Sequence, residues 1–171
     1  MNVDEGFLDG AAEAAGIILD RMLGAMTSER GVHVESLFTA LGSHAGHASR
    51  LAAPEGTDDP ALTLAPFWGL VASKLQQLTG ETPDPGEYFG HTGPPRYADG
   101  TAADDTPEGY LLSFDVLRAT FESSAPDPRQ WPVAYGIAVQ SALDLTGGQF
   151  DYGVLARIVM DSAIATSTSR I

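Results

Sequence analysis

The sequence contains no cysteine. That absence excludes disulfides, thiolate zinc sites, iron–sulfur clusters held by cysteine and a cysteine nucleophile. Lysine is almost missing too: of 9 basic residues only Lys74 is a lysine, and 23 acidic residues bring the formal net charge to -14. A field of that sign repels phosphate backbones and anionic lipid surfaces, so nucleic acid is not expected as a direct partner. No apolar run approaches the roughly 20 residues needed to cross a bilayer. The first residues, Met1-Asn2-Val3-Asp4-Glu5-Gly6, are acidic where a secretion signal is basic. These features predict a cytoplasmic protein with no membrane partner. The Ala, Gly and Asp content with so little Lys resembles a GC-rich or salt-adapted bacterial coding bias.

The familiar catalytic signatures are missing as well. There is no Gly-x-Ser-x-Gly, no phosphate-cradling Gly-x-x-x-x-Gly-Lys, no Gly-x-Gly-x-x-Gly after a strand and no His-Glu-x-x-His. The acidic stretches Asp58-Asp59 and Asp99 to Asp105 have neither the ligand spacing nor the turn glycine of an EF-hand. They read as hydrated loops. No cofactor is expected.

What is present is helical periodicity. At 171 residues the chain is one domain long and can bury about two thirds of its extended surface in a single core. Leu8, Ala12, Ala15, Leu19, Met22 and Met26 repeat at steps of three and four, predicting a first helix over Gly6–Met26. Its opposite flank, Asp9, Glu13, Gly16, Asp20 and Gly24, reads as a solvated face. A second helix is predicted over Val32–Ala53, with Val34, Leu37, Phe38, Leu41, Ala45, Ala48 and Ala52 in one stripe and Pro54 as its stop. Asp59-Pro60 supplies a capping side chain and a pre-set first helical residue, but Pro66 predicts a kink or a fresh start there. The third helix then carries Phe67, Trp68, Val71, Leu75 and Leu78 and ends at Gly80.

Periodicity fails from 81 to 105, where prolines alternate with glycines; this predicts a long loop, and loops of such length are usually functional or disordered. Thr106-Pro107-Glu108 restarts a helix through Tyr110, Phe114, Leu117 and Phe121. Asp127-Pro128 starts the next, closed by Gly147-Gly148, and Asp151 caps the last, with 166–171 expected to fray. The expectation is an all-α, single-domain protein of about six helices, a bundle or orthogonal array spanning 1–171. An internal echo, 14–28 with 134–148 and 31–45 with 149–163, hints that two helical hairpins are related, although Ala- and Leu-rich helices also match by chance.

Two groups of residues are candidates for function. On the irregular segment, Tyr88, Phe89, His91, Arg96 and Tyr97 suit a recognition surface, because rigid rings and Arg give contact area at little entropic cost. They would equally serve to anchor the segment. On the second helix, His33, His44 and His47 share one flank, and His44 with His47 at i, i+3 could share a metal with acids from neighbouring helices. His33 lies eleven residues from His44, about 16 Å along a continuous helix, too far for one ion. Histidines hydrogen-bonded at a helix boundary are the simpler account. The functional expectation is a non-enzymatic helical domain acting through contacts with a protein partner or with itself; the alternative is a metal-binding helical enzyme using His44 and His47. A nucleic-acid mimic is disfavoured because the carboxylates are spread through loops and helices rather than gathered on one face.

Overall fold

A computed structural model describes residues 3–29, 31–89 and 107–168. Among them the chain forms eight α-helices and one 3-10 helix: α1 (Val3–Met26), α2 (Val34–Ala52), α3 (Pro60–Thr63), α4 (Ala65–Thr79), α5 (Pro85–Phe89), η1 (Pro107–Ser113), α6 (Phe114–Phe121), α7 (Gln130–Thr146) and α8 (Tyr152–Ser167). The only extended pairing described is a two-residue antiparallel bridge between Thr27–Ser28 and Gly31–Val32, which turns α1 into α2. The protein is an all-α single domain. Two further short helices account for the excess over six.

The Pro-marked boundaries behave differently from one another. Asp59 caps α3 by accepting the Ala61 amide at 3.0 Å. That helix lasts one turn, because Pro66 has no amide to continue the ladder, and α4 starts around it with Pro66 in its first turn. Thr106 lies outside the described residues, and the segment it introduces winds first as η1 before becoming α6. Asp127-Pro128 forms a turn ahead of α7: the Gln130 amide donates to the Asp127 carbonyl at 2.8 Å, and the Asp127 carboxylate holds the backbone amide and guanidinium of Arg129. Gly80 and Gly147 close α4 and α7 in the left-handed conformation, φ 78° and 58°. Asp151 caps α8 through the amides of Gly153 and Val154.

α2 is the central helix. It lies most extensively against α8, then against α7, η1 and α1, so residues 36 to 46 are buried on every side rather than along one stripe. The α2–α8 approach is close enough that a methyl group at Gly42 would collide with the Val159 carbonyl, and one at Gly46 with Thr166 and the Ala163 carbonyl. Across that seam Thr166 Oγ1 donates to the Ser43 carbonyl at 2.8 Å. α1 lies on α7, α4 is seated on α7 and α8, and α6 rests on α1. Lys74 pairs with Asp144 at 2.6 Å and Gln140 donates to the Leu70 carbonyl at 2.8 Å, tying α4 to α7.

Three expectations need correction. The buried face of α1 is Ala11, Ala14, Ala15, Ile18 and Met22, while Leu8 is 52% exposed. Outside its charged flank this Ala-rich helix is apolar over more than one face, and packing against α7 decides which of them is buried. The flank with Glu13, Gly16, Asp20 and Gly24 is indeed solvated. Within the predicted loop 81–105, residues Pro85–Phe89 form α5, and 90–106 lie outside the described residues. Finally, α8 continues through the supposedly frayed Thr166 and Ser167, because Thr166 is fully buried and bonded to α2; 169–171 lie outside the described residues.

The two echoing hairpins place α1 beside α7 and α2 beside α8, as a pseudo-twofold would, yet α2 also packs broadly on α7 with no comparable α1–α8 contact. The arrangement is only half symmetric.

Candidate functional site

His44 reaches the centre of the molecule from α2 and is 1% exposed. Its Nε2 lies 2.8 Å from the Tyr110 carbonyl and its Nδ1 3.1 Å from the Tyr135 hydroxyl. A carbonyl only accepts, so Nε2 carries the proton, and Nδ1 accepts from the Tyr135 hydroxyl. Burial drives the His44 pKa down to about 4, opposed by the Tyr110 carbonyl and assisted by His47. The imidazole is therefore neutral at neutral pH. Burial likewise pushes the Tyr135 hydroxyl well above its ordinary value, so it stays a donor.

Around this pair lies an aromatic cluster. Phe114 meets His44 edge-on at 5.4 Å, His47 at 4.7 Å and Trp131 at 6.3 Å, and Phe121 meets Tyr135 at 6.0 Å. Trp131 Nε1 donates to the Ala125 carbonyl at 2.8 Å. The cluster thus joins α2, η1, α6 and α7, with the polar ring atoms of His44, Tyr135 and Trp131 all hydrogen-bonded.

Ser113 Oγ sits 3.2 Å from His44 Nε2, a separation that invites comparison with a serine–histidine dyad. The proton inventory argues otherwise. Nε2 already donates to Tyr110, and Ser113 Oγ donates to the same carbonyl at 2.9 Å, so no lone pair faces the hydroxyl to take its proton. Metal ligation by His44 meets the same obstacle, since both ring nitrogens are engaged. His47 is half-buried with its ring on Phe114, its pKa lowered chiefly by burial. His33 stands apart as the N-cap of α2, its Nδ1 accepting the Ser36 amide at 3.3 Å. Among the described residues no group of three or more His, Asp or Glu side chains could hold a metal ion.

The loop candidates divide. Tyr88 is 7% exposed, 5.0 Å from Trp68, and has the Arg157 guanidinium 5.9 Å over its ring. Phe89 is half-buried and edge-on to Trp68 at 5.6 Å. Both rings seat α5 on α4 and α8, the anchoring arrangement. His91, Arg96 and Tyr97 lie outside the described residues.

Sequence reasoning passed over an open apolar groove. Beside the His44 array, α1, η1 and α6 bound a groove of about 240 Å³ lined by Met22, Ala25, Met26, Val116 and Leu117, with Arg21 at its edge. Val116, in that lining, is 72% exposed, and Leu112 on η1 is 90% exposed. In sequence these two read as ordinary helix positions, and periodicity does not say that no other element covers them.

No family model, curated protein or solved structure matches the chain.

Proposed function

We propose that the domain acts without catalysis, through protein contacts, and that the face formed by α1, η1 and α6 is where a second copy of the chain docks. One observation carries this reading: Val116, 72% exposed, belongs to the wall of an apolar groove, and a second exposed apolar side chain, Leu112, precedes it on η1. A twofold interface needs that juxtaposition, because each copy must offer both the projecting group and the recess that receives it. Met22 and Met26 in the groove wall suit the role, since unbranched thioether side chains adapt to an incoming surface.

The net charge of -14 opposes association of like copies. Added salt screens that repulsion, so self-association strengthens as ionic strength rises. Light scattering on a size-exclusion column, run over a range of concentration and salt, tests the proposal. A dimer that dissociates on Val116→Glu supports it; a monomer at every concentration and salt level overturns it.

A further inference from the structure

A second apolar groove lies away from the proposed contact face, where the start of α1, the end of α2, the α3–α4 junction and the start of α7 converge. Its volume is about 410 Å³, and Phe7, Ser49, Leu62, Pro66, Pro132 and Val133 line it. That size falls within the roughly 300–1,000 Å³ typical of small-molecule sites, which are mostly apolar with a few placed polar groups. Here one of the polar groups is Ser49.

Ser49 is 1% exposed, and its hydroxyl oxygen has no hydrogen-bond partner among the described residues. Its neighbours on the same helix show how unusual that is. Thr39 Oγ1 donates to the Glu35 carbonyl at 2.8 Å and Ser43 Oγ to the Thr39 carbonyl at 2.7 Å, the usual way a buried helical hydroxyl is satisfied. Ser49 does not take that option. A buried hydroxyl without a partner is costly, and one at a groove wall is open to a partner that enters the groove.

The charge at the rim narrows the ligand. Arg129 lines the groove, but Asp127 neutralises it through contacts at 2.6 to 3.2 Å. Among the described residues no uncommitted cation lines the groove for a carboxylate or phosphate.

We infer that this groove binds a small, neutral, mainly apolar molecule carrying one carbonyl or hydroxyl oxygen, which hydrogen-bonds to Ser49. The inference does not depend on self-association, because the two grooves share no residue.

Titration with the neutral ketone dye prodan, followed by its blue-shifted emission, tests it on the full chain. Saturable binding at one dye per chain is expected, weakened about tenfold by Ser49→Ala, the equivalent of one lost hydrogen bond to a buried group. Leu62→Glu, at a position 68% exposed and so no threat to the fold, is expected to weaken binding as well by charging the groove mouth. Thermal unfolding separates a ligand role from a structural one: Ser49→Ala removes an unsatisfied group, so the free protein keeps or gains melting temperature. The inference is overturned by the absence of saturable binding, or by Ser49→Ala lowering the melting temperature while leaving dye affinity intact. It is equally overturned if dye binding follows Val116→Glu and ignores Ser49→Ala, which would place the dye in the other groove.

Discussion

At the residue scale His44 spends both ring nitrogens on the fold. One bond reaches η1 at the Tyr110 carbonyl and the other reaches α7 at the Tyr135 hydroxyl. Tyr135→Phe keeps the ring packing and leaves Nδ1 buried without a donor, so it is expected to lower stability by about 1–3 kcal/mol in urea unfolding. Titration gives a second expectation. The folded-state pKa of about 4 lies below the ordinary 6.5, so between those values the unfolded chain binds a proton that the folded protein excludes. Stability therefore falls as pH drops from about 6.5 to about 4, and below that this group adds no further dependence. The shift corresponds to roughly 3 kcal/mol across the window. His47, lowered in the same direction, adds to the trend. His44→Gln should flatten the pH dependence of the urea midpoint relative to wild type; an unchanged slope would remove His44 as its source.

At the scale of elements, glycine has opposite meanings at Gly16 of α1 and at Gly42 and Gly46 of α2. Gly42 and Gly46 are four residues apart on the face of α2 that meets α8, and a side chain at either would strike backbone carbonyls that cannot swing aside. Gly42→Ala and Gly46→Ala are each expected to destabilise by about 1–3 kcal/mol or more, the range for overpacking a filled core. Gly16 is solvent-exposed in the interior of α1, with nothing within 4 Å of the place its Cβ would occupy. Gly16→Ala is expected to stabilise by about 0.5–1 kcal/mol through helix propensity alone. Chemical denaturation of the three variants checks both signs together. The Gly-Ser-His-Ala-Gly run at 42 to 46 is visible in the sequence, but so are Gly16 and Gly24, and nothing in the sequence says which pair faces a neighbour.

Across the whole molecule, an acidic surface coexists with an apolar face and an apolar groove that the fold leaves open. None of its helices, among the described residues, is long and apolar enough to cross a membrane. If the α1–η1–α6 face joins two copies, Leu112→Glu or Val116→Glu places a carboxylate against an apolar recess, and a loss of at least about tenfold in dimer affinity is expected by sedimentation equilibrium. Because both positions are exposed, the far-ultraviolet circular dichroism of the variants should match wild type. The same measurement at rising salt should show the wild-type dimer tightening, the opposite of what a dimer held by ion pairs would do.

Local chemistry was enough to determine the helical class and most of the boundaries. Asp59, Gly80, Gly147 and Asp151 act through their own backbone and near neighbours, so their caps are legible in order along the chain. The all-round burial of α2, the face by which α1 packs and the burial of Thr166 are not local. They depend on which helix arrives opposite, and in Ala-rich helices several faces are apolar enough to accept it. The partners of His44 lie 66 and 91 residues away along the chain, and the groove beside Ser49 is assembled from four separate stretches. Only the tertiary structure brings such distant groups together, because hydrogen-bond reach and exclusion of water are properties of neighbours in space, not in sequence.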